Sequence, residues 1–114
     1  MATIAIDIDG VVCSEEKTFD KPLASPIPGA LENVNGLYDA GHVIIFWTAR
    51  GWEQYRVTID WLNRHGFSYH ALSMGKPIVD IFIDDRAINF SSWEQASEEV
   101  ENRISKLQTR SISH

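Results

Sequence analysis

The stretch Thr3-Ile4-Ala5-Ile6-Asp7-Ile8-Asp9-Gly10 decides how this chain folds. Its apolar, mostly β-branched residues predict a buried strand over residues 3–8, and that strand carries carboxylates at its carboxyl end. A carboxylate inside an apolar run is costly unless it is paired or metal-bound, so a turn or capping role is the poorer account of Asp7 and Asp9. Separated by one residue, they can project toward the same mouth once the chain turns at Gly10.

Working outward, residues 11–28 carry Ser, Glu, Lys and the prolines Pro22, Pro26 and Pro28, and read as a loop with room for a short hairpin. Ala30, Leu31, Val34, Leu37 and Tyr38 then recur at helical spacing until Gly41. A second apolar run, His42-Val43-Ile44-Ile45-Phe46-Trp47, predicts a strand closed by Thr48-Ala49-Arg50-Gly51. Residues 52–63 predict a helix burying Val57, Trp61 and Leu62, and residues 69–72 a short strand. Ile78-Val79-Asp80-Ile81-Phe82-Ile83 predicts a further strand ending in Asp84-Asp85-Arg86, and residues 92–107 an amphipathic helix. Strands alternating with helices predict an α/β sandwich with a mainly parallel sheet, whose ligands bind beyond the carboxyl ends of the strands. Asp7, Asp9, Thr48, Asp84 and Asp85 all fall there.

The chain's 114 residues suffice for one packed core, giving one catalytic domain over residues 1–108 and a frayed tail over 109–114. Ten Lys and Arg against sixteen Asp and Glu give a net charge of −6, with no basic block for a nucleic-acid backbone, so broad nucleic-acid binding is not expected. The same balance repels a phosphate ester unless a cation or local Lys and Arg offset it. One cysteine, Cys13, allows no internal disulfide or cysteine-rich zinc site and fits a reducing, cytoplasmic setting. No signal peptide or membrane span is expected.

The carboxylate pair suits phosphoryl transfer. Asp7 can attack phosphorus to give an aspartyl-phosphate, while Asp9 protonates the leaving alkoxide and then deprotonates the hydrolytic water. Bringing two anions together calls for Mg²⁺, which takes oxygen ligands and keeps several waters; Asp7 and the Asp84-Asp85 pair supply such oxygens. The Thr48 hydroxyl and the backbone N–H groups of the Thr48-Ala49 turn can hold a phosphate oxygen, and Lys76 can neutralise charge building in the transition state.

Asp7-Ile8-Asp9-Gly10-Val11-Val12, Thr48 after an apolar strand, Lys76, and Asp84-Asp85 after another resemble, in order, the four motifs of the haloacid dehalogenase superfamily. The resemblance spans residues 3–88. It implies a Rossmann-like three-layer α/β/α sandwich, Asp7 as nucleophile, Asp9 as general acid/base, and Thr48 and Lys76 on the phosphate. It also implies Mg²⁺ bound by Asp7, the Asp9 backbone carbonyl and Asp85, with Asp84 a direct ligand or a supporting neighbour. Asp at position 9 favours phosphatase over dehalogenase chemistry within that superfamily. The gaps where members carry a cap domain hold one helix each, so the chain looks like a capless member. An open site suits a bulky substrate or one enclosed by a partner subunit, which leaves homo-oligomerisation open. The Thr48–Gly51 and Ile83–Ala87 strings are similar to those of small phosphatases of sugar-phosphate or capsule pathways.

The expected substrate is a small-molecule phosphate ester, a sugar phosphate or a nucleotide; a non-catalytic phosphate- or metal-binding module and a phosphotransferase to another acceptor remain alternatives. Arg50 and Arg86 each admit two readings, a grip on a second anionic group or a structural ion pair. Lys76 draws its functional reading from its place among the other motifs. Cys13 reads as a small buried side chain and Asp80 as structural. His42, His65 and His70 show no metal-ligand spacing, and His114 lies in the tail. Trp47, Trp52, Trp61 and Trp93 read as core or helix-face residues, with Trp52 beside the second motif and able to reach substrate.

Overall fold

The computed structural model describes residues 1–14 and 24–112, in two compact units, Met1–Asp80 and Ile81–His114. The middle of the loop expected over residues 11–28 and the end of the expected tail lie outside the described residues.

In the first unit, strand β1 (Thr3–Asp7), helix α1 (Ala30–Asp39), strand β2 (Val43–Trp47), helix α2 (Tyr55–Arg64) and strand β3 (Ala71–Ser73) follow in chain order, with a 3₁₀ turn (Trp52–Gln54) leading into α2. The strands form a parallel sheet of order β1-β2-β3. Each helix thus connects two neighbouring parallel strands, the connection such strands require. This is a Rossmann-like α/β fold.

The register matters more than the strand count. Asp7 pairs with Trp47 and Trp47 with Ser73, so all three strands end in one row. Whatever follows them in sequence emerges at one edge of the sheet.

The core beneath that edge is made by Ile8, Val12, Val34, Ile44, Phe46 and Leu62, all fully buried. Each contributes about 1.5–3 kcal/mol by leaving water. Phe46 meets Phe67 and Tyr69 edge-on, and Phe67 stacks on Trp61. Trp61 and Leu62 are buried as their spacing predicts, and Trp61 donates its indole N–H to the Ala24 carbonyl at 2.8 Å. Two histidines extend the strand ladders: His42 Nδ1 accepts the Ala2 N–H and His70 Nδ1 accepts the Ile44 N–H, each at 3.0 Å.

Residues 78–83 form no strand, contrary to their pattern. Ile78, Ile81 and Ile83 are largely exposed, and Val79 and Phe82 half-exposed. Apolar, β-branched composition marks a segment able to pair, but a strand exists only through its ladder, and residues 78–83 make none with β1, β2 or β3.

The second unit contains helix α3 (Trp93–Ile112), one turn longer than its amphipathic pattern indicates. Ser92 Oγ accepts the Gln95 N–H at its start, as an N-cap does. Trp93 and Ala96 are buried, and Trp93 meets Phe90 edge-on. No helix among the described residues is long and apolar enough to cross a membrane.

Candidate active site at the carboxyl edge of the sheet

Beyond Asp7 the chain keeps its two-residue alternation: Ile8 is fully buried while Asp7 and Asp9 stay partly accessible on the other side. The next turn wraps around one acceptor, the Ile8 carbonyl, which takes N–H donors from Val11, Val12 and Cys13 at 2.9–3.2 Å. Gly10 makes that turn at φ 85°, a left-handed conformation in which a Cβ costs about 1–2 kcal/mol. Cys13 then pairs with Pro26 in an isolated antiparallel bridge, and Ile27 donates to the Val12 carbonyl, so residues 12–14 and 25–27 make the short paired segment expected of a hairpin.

The two carboxylates acquire different cations. Asp7 accepts its neighbour's N–H, from Ile8 at 2.9 Å, and the Lys76 ammonium at 3.1 Å. Lys76 is positioned by its backbone: its N–H donates to the Thr48 carbonyl at 2.8 Å, just after Gly75 turns at φ 81°. Its ammonium also lies 5.2 Å from the centre of the Trp47 ring, within cation–π range. Lys76, remote in sequence from Asp7, is therefore brought to it by the aligned ends of β1, β2 and β3.

Asp9 faces Arg50 instead. Arg50 Nε donates to Oδ2 at 2.9 Å and Nη2 to Oδ1 at 2.8 Å, a two-pronged fork. Nη1 donates to the Thr58 hydroxyl at 2.9 Å, and that hydroxyl donates to the Gln54 carbonyl at 2.7 Å. Cys13 Sγ lies 3.6 Å from both Arg50 Nη2 and Asp9 Oδ1. Burial pulls the Arg50 pKa down, but the Asp9 carboxylate and the Cys13 sulfur push it further up, and it ends above the usual guanidinium value. The sequence left Arg50 between two readings because its partners stand far along the chain, as Asp9 does, or on another element, as Thr58 does. Its signal was the Thr48–Gly51 string, in which an Arg stands two residues past the threonine.

Thr48 is fully buried. Its N–H, expected to be available to phosphate, donates to the Ser73 carbonyl at 3.0 Å, and its hydroxyl accepts the Arg50 N–H at 3.1 Å. The hydroxyl proton remains the donor that Thr48 can offer, and Ala49 is exposed beside it. Cys13 is fully buried, as its reading predicts. Trp52 is instead 70% exposed and packs at 5.6 Å against Tyr55.

Asp84 and Asp85 belong to the second unit, where both are exposed. The Asp84 carboxylate accepts the Arg86 N–H at 2.8 Å, and Arg86 in turn offers its carbonyl to Arg103 Nη1 at 2.8 Å. Among the described residues no three His, Cys, Asp or Glu side chains gather as a metal cage would require. What the first unit offers a cation is the part-exposed Asp7 carboxylate. A carboxylate oxygen is a hard donor of the kind a divalent ion takes while keeping much of its own water, and here it is shared with the Lys76 ammonium at 3.1 Å.

No family model matches the chain, and no curated protein matches it significantly. Solved structures share its fold. A structural-genomics target from Vibrio cholerae superposes with a TM-score of 0.73 at 22% identity, over 93% of this chain and 98% of that one. A conserved protein from Bacteroides thetaiotaomicron gives 0.64 at 26% identity, over 89% and 90%. D,D-heptose 1,7-bisphosphate phosphatase from B. bronchiseptica, solved with magnesium and phosphate, gives 0.56 at 23% identity, over 76% of this chain and 54% of that one.

Proposed function

We propose that the chain is a Mg²⁺-dependent phosphomonoester hydrolase of the haloacid dehalogenase type, acting through an aspartyl-phosphate on Asp7. The observation that carries this reading is the pair of carboxylates at the carboxyl end of β1, each held by its own cation: Lys76 at 3.1 Å from Asp7 and Arg50 at 2.8 Å from Asp9. The fold shared with a phosphatase solved with magnesium and phosphate supports it.

An Asp7 carboxylate oxygen forms a bond to phosphorus as the bond from phosphorus to the ester oxygen breaks, and the departing alkoxide takes a proton from Asp9. Water then attacks the aspartyl-phosphate, the Asp9 carboxylate takes the water's proton, and the Asp7–phosphorus bond breaks to release phosphate. Lys76 sits against the nucleophile and neutralises phosphoryl charge, while Thr48, fully buried, braces the turn beside it by accepting the Arg50 N–H. Asp7 and the Asp9 backbone carbonyl would hold Mg²⁺; Asp84 and Asp85 are further carboxylates of the kind it takes. The cation would offset the repulsion between nucleophile and substrate. Sugar phosphates and nucleotides are the substrate classes to try first, in a cytoplasmic setting.

The test is phosphate release from a panel of phosphomonoesters, with and without Mg²⁺, for the native chain and Asp7→Asn. Metal-dependent turnover lost in Asp7→Asn supports the reading. Absence of turnover across the panel, with Mg²⁺ still bound, would replace it with a binding module, and transfer of phosphate to an added sugar would make it a phosphotransferase.

A further inference from the structure

Every nitrogen of the Arg50 guanidinium donates to protein: Nε and Nη2 to Asp9, Nη1 to Thr58, with Cys13 Sγ beside Nη2. The side chain is 4% exposed. A cation so enclosed is poorly available to a substrate anion, which removes one of the two readings its sequence allowed. A simple structural ion pair does not describe it either, because its partner is the carboxylate proposed to move protons.

We infer that Arg50 is a positioning residue for proton transfer by Asp9, with Thr58 as its anchor; this rests on the hydrolase reading above. The fork takes a lone-pair site on each Asp9 oxygen, Oδ1 also accepting from Cys13 Sγ at 3.6 Å, and so holds the carboxyl group in one orientation. A planar fork fixes the carboxylate's plane as well as its distance, which a lysine ammonium, a point charge on a flexible stem, does not. The Thr58 hydroxyl holds the guanidinium from behind and is itself tied to the Gln54 carbonyl at 2.7 Å. The orientation of Asp9, on the loop after β1, is thereby set by the first turn of α2. Proximity without orientation recovers only part of the rate available to a proton transfer, so loosening the fork acts on the step that needs the proton.

The experiment separates that step by leaving group. An aryl ester such as p-nitrophenyl phosphate departs without a proton, whereas an alkyl ester such as glycerol phosphate needs one. Values of kcat/KM on both esters, with Mg²⁺ present, are compared for the native chain, Arg50→Lys, Thr58→Val and Asp9→Asn, with thermal melts confirming that each folds. Arg50→Lys is expected to lose about tenfold or more on the alkyl ester beyond its loss on the aryl ester, in the direction of Asp9→Asn and short of it in size. Thr58→Val, which keeps the volume and the charge pair, is expected to show the same selectivity in weaker form, and stands in if Arg50→Lys does not fold. Equal losses on both esters overturn the inference, since a grip on phosphate or a general loosening affects both alike; so does no loss at all. If the native chain turns over neither ester, both the hydrolase reading and this inference fall. If it turns over both, loses activity in Asp7→Asn, and shows equal losses in the Arg50 and Thr58 variants, only the inference falls.

Discussion

Asp7 and Asp9 are two residues apart on one chain segment, yet their surroundings have little in common. Asp7 is a third exposed and meets one ammonium through a single contact, Lys76 at 3.1 Å. Asp9 is gripped by both prongs of a guanidinium that is almost wholly buried and anchored from behind. The contrast teaches that equal charge does not mean equal constraint. On the proposed reading, a nucleophile open to substrate would be held loosely at a mouth, whereas a proton carrier would be kept in one orientation by a fork.

The largest expected effect comes from the exposed member. Asp7→Asn removes the charge of the oxygen proposed to attack and should lower kcat by about 10⁴-fold or more in a phosphate-release assay, with the fold intact by circular dichroism. Retained turnover would break the comparison by making Asp7 an ordinary surface acid.

Stability should reverse the ranking. Asp9→Ala leaves the Arg50 guanidinium buried without its counter-charge and should cost about 3 kcal/mol in urea unfolding. Asp7→Ala, which frees a lysine able to reach water, should cost about 1 kcal/mol or less. Similar losses for the two would show that the fork is no tighter than the single contact.

Lys76→Met tests the exposed pair from its other side. It should lower kcat/KM by about 10²-fold through lost neutralisation of phosphoryl charge, with little change in melting. The smallest effect should be Gly10→Ala. A Cβ there meets no heavy atom within 4 Å, so its cost of about 1 kcal/mol arises from the left-handed backbone alone. Chemical denaturation measures it, and a much larger loss would mean that the turn holding Asp9 does more than bend the chain.

Local pattern was enough for β1 and β2, because their apolar runs are bounded by Gly10 and by the Thr48–Gly51 turn, and for α1 and α2, because their buried faces recur at helical spacing. It misled at residues 78–83, where an apolar β-branched run lacks a ladder partner. Of the site, Asp7, Asp9 and Lys76 were legible as residue types in order. The role of Arg50 was not, since an arginine two residues past a threonine looks the same whether it faces water, substrate or a carboxylate.

Between residues 3 and 73 the sequence by itself determined which segments alternate as strand and helix, and that Asp7 and Asp9 stand at the carboxyl end of the first strand, since both follow from local periodicity and from the cost of a carboxylate in an apolar run. Tertiary structure alone decided the partners. The register that ends Asp7, Trp47 and Ser73 in one row brings Lys76 to Asp7, and the packing of Thr58 on α2 aims Arg50 at Asp9. Such pairings join residues about forty to seventy positions apart, a distance over which sequence periodicity carries no information.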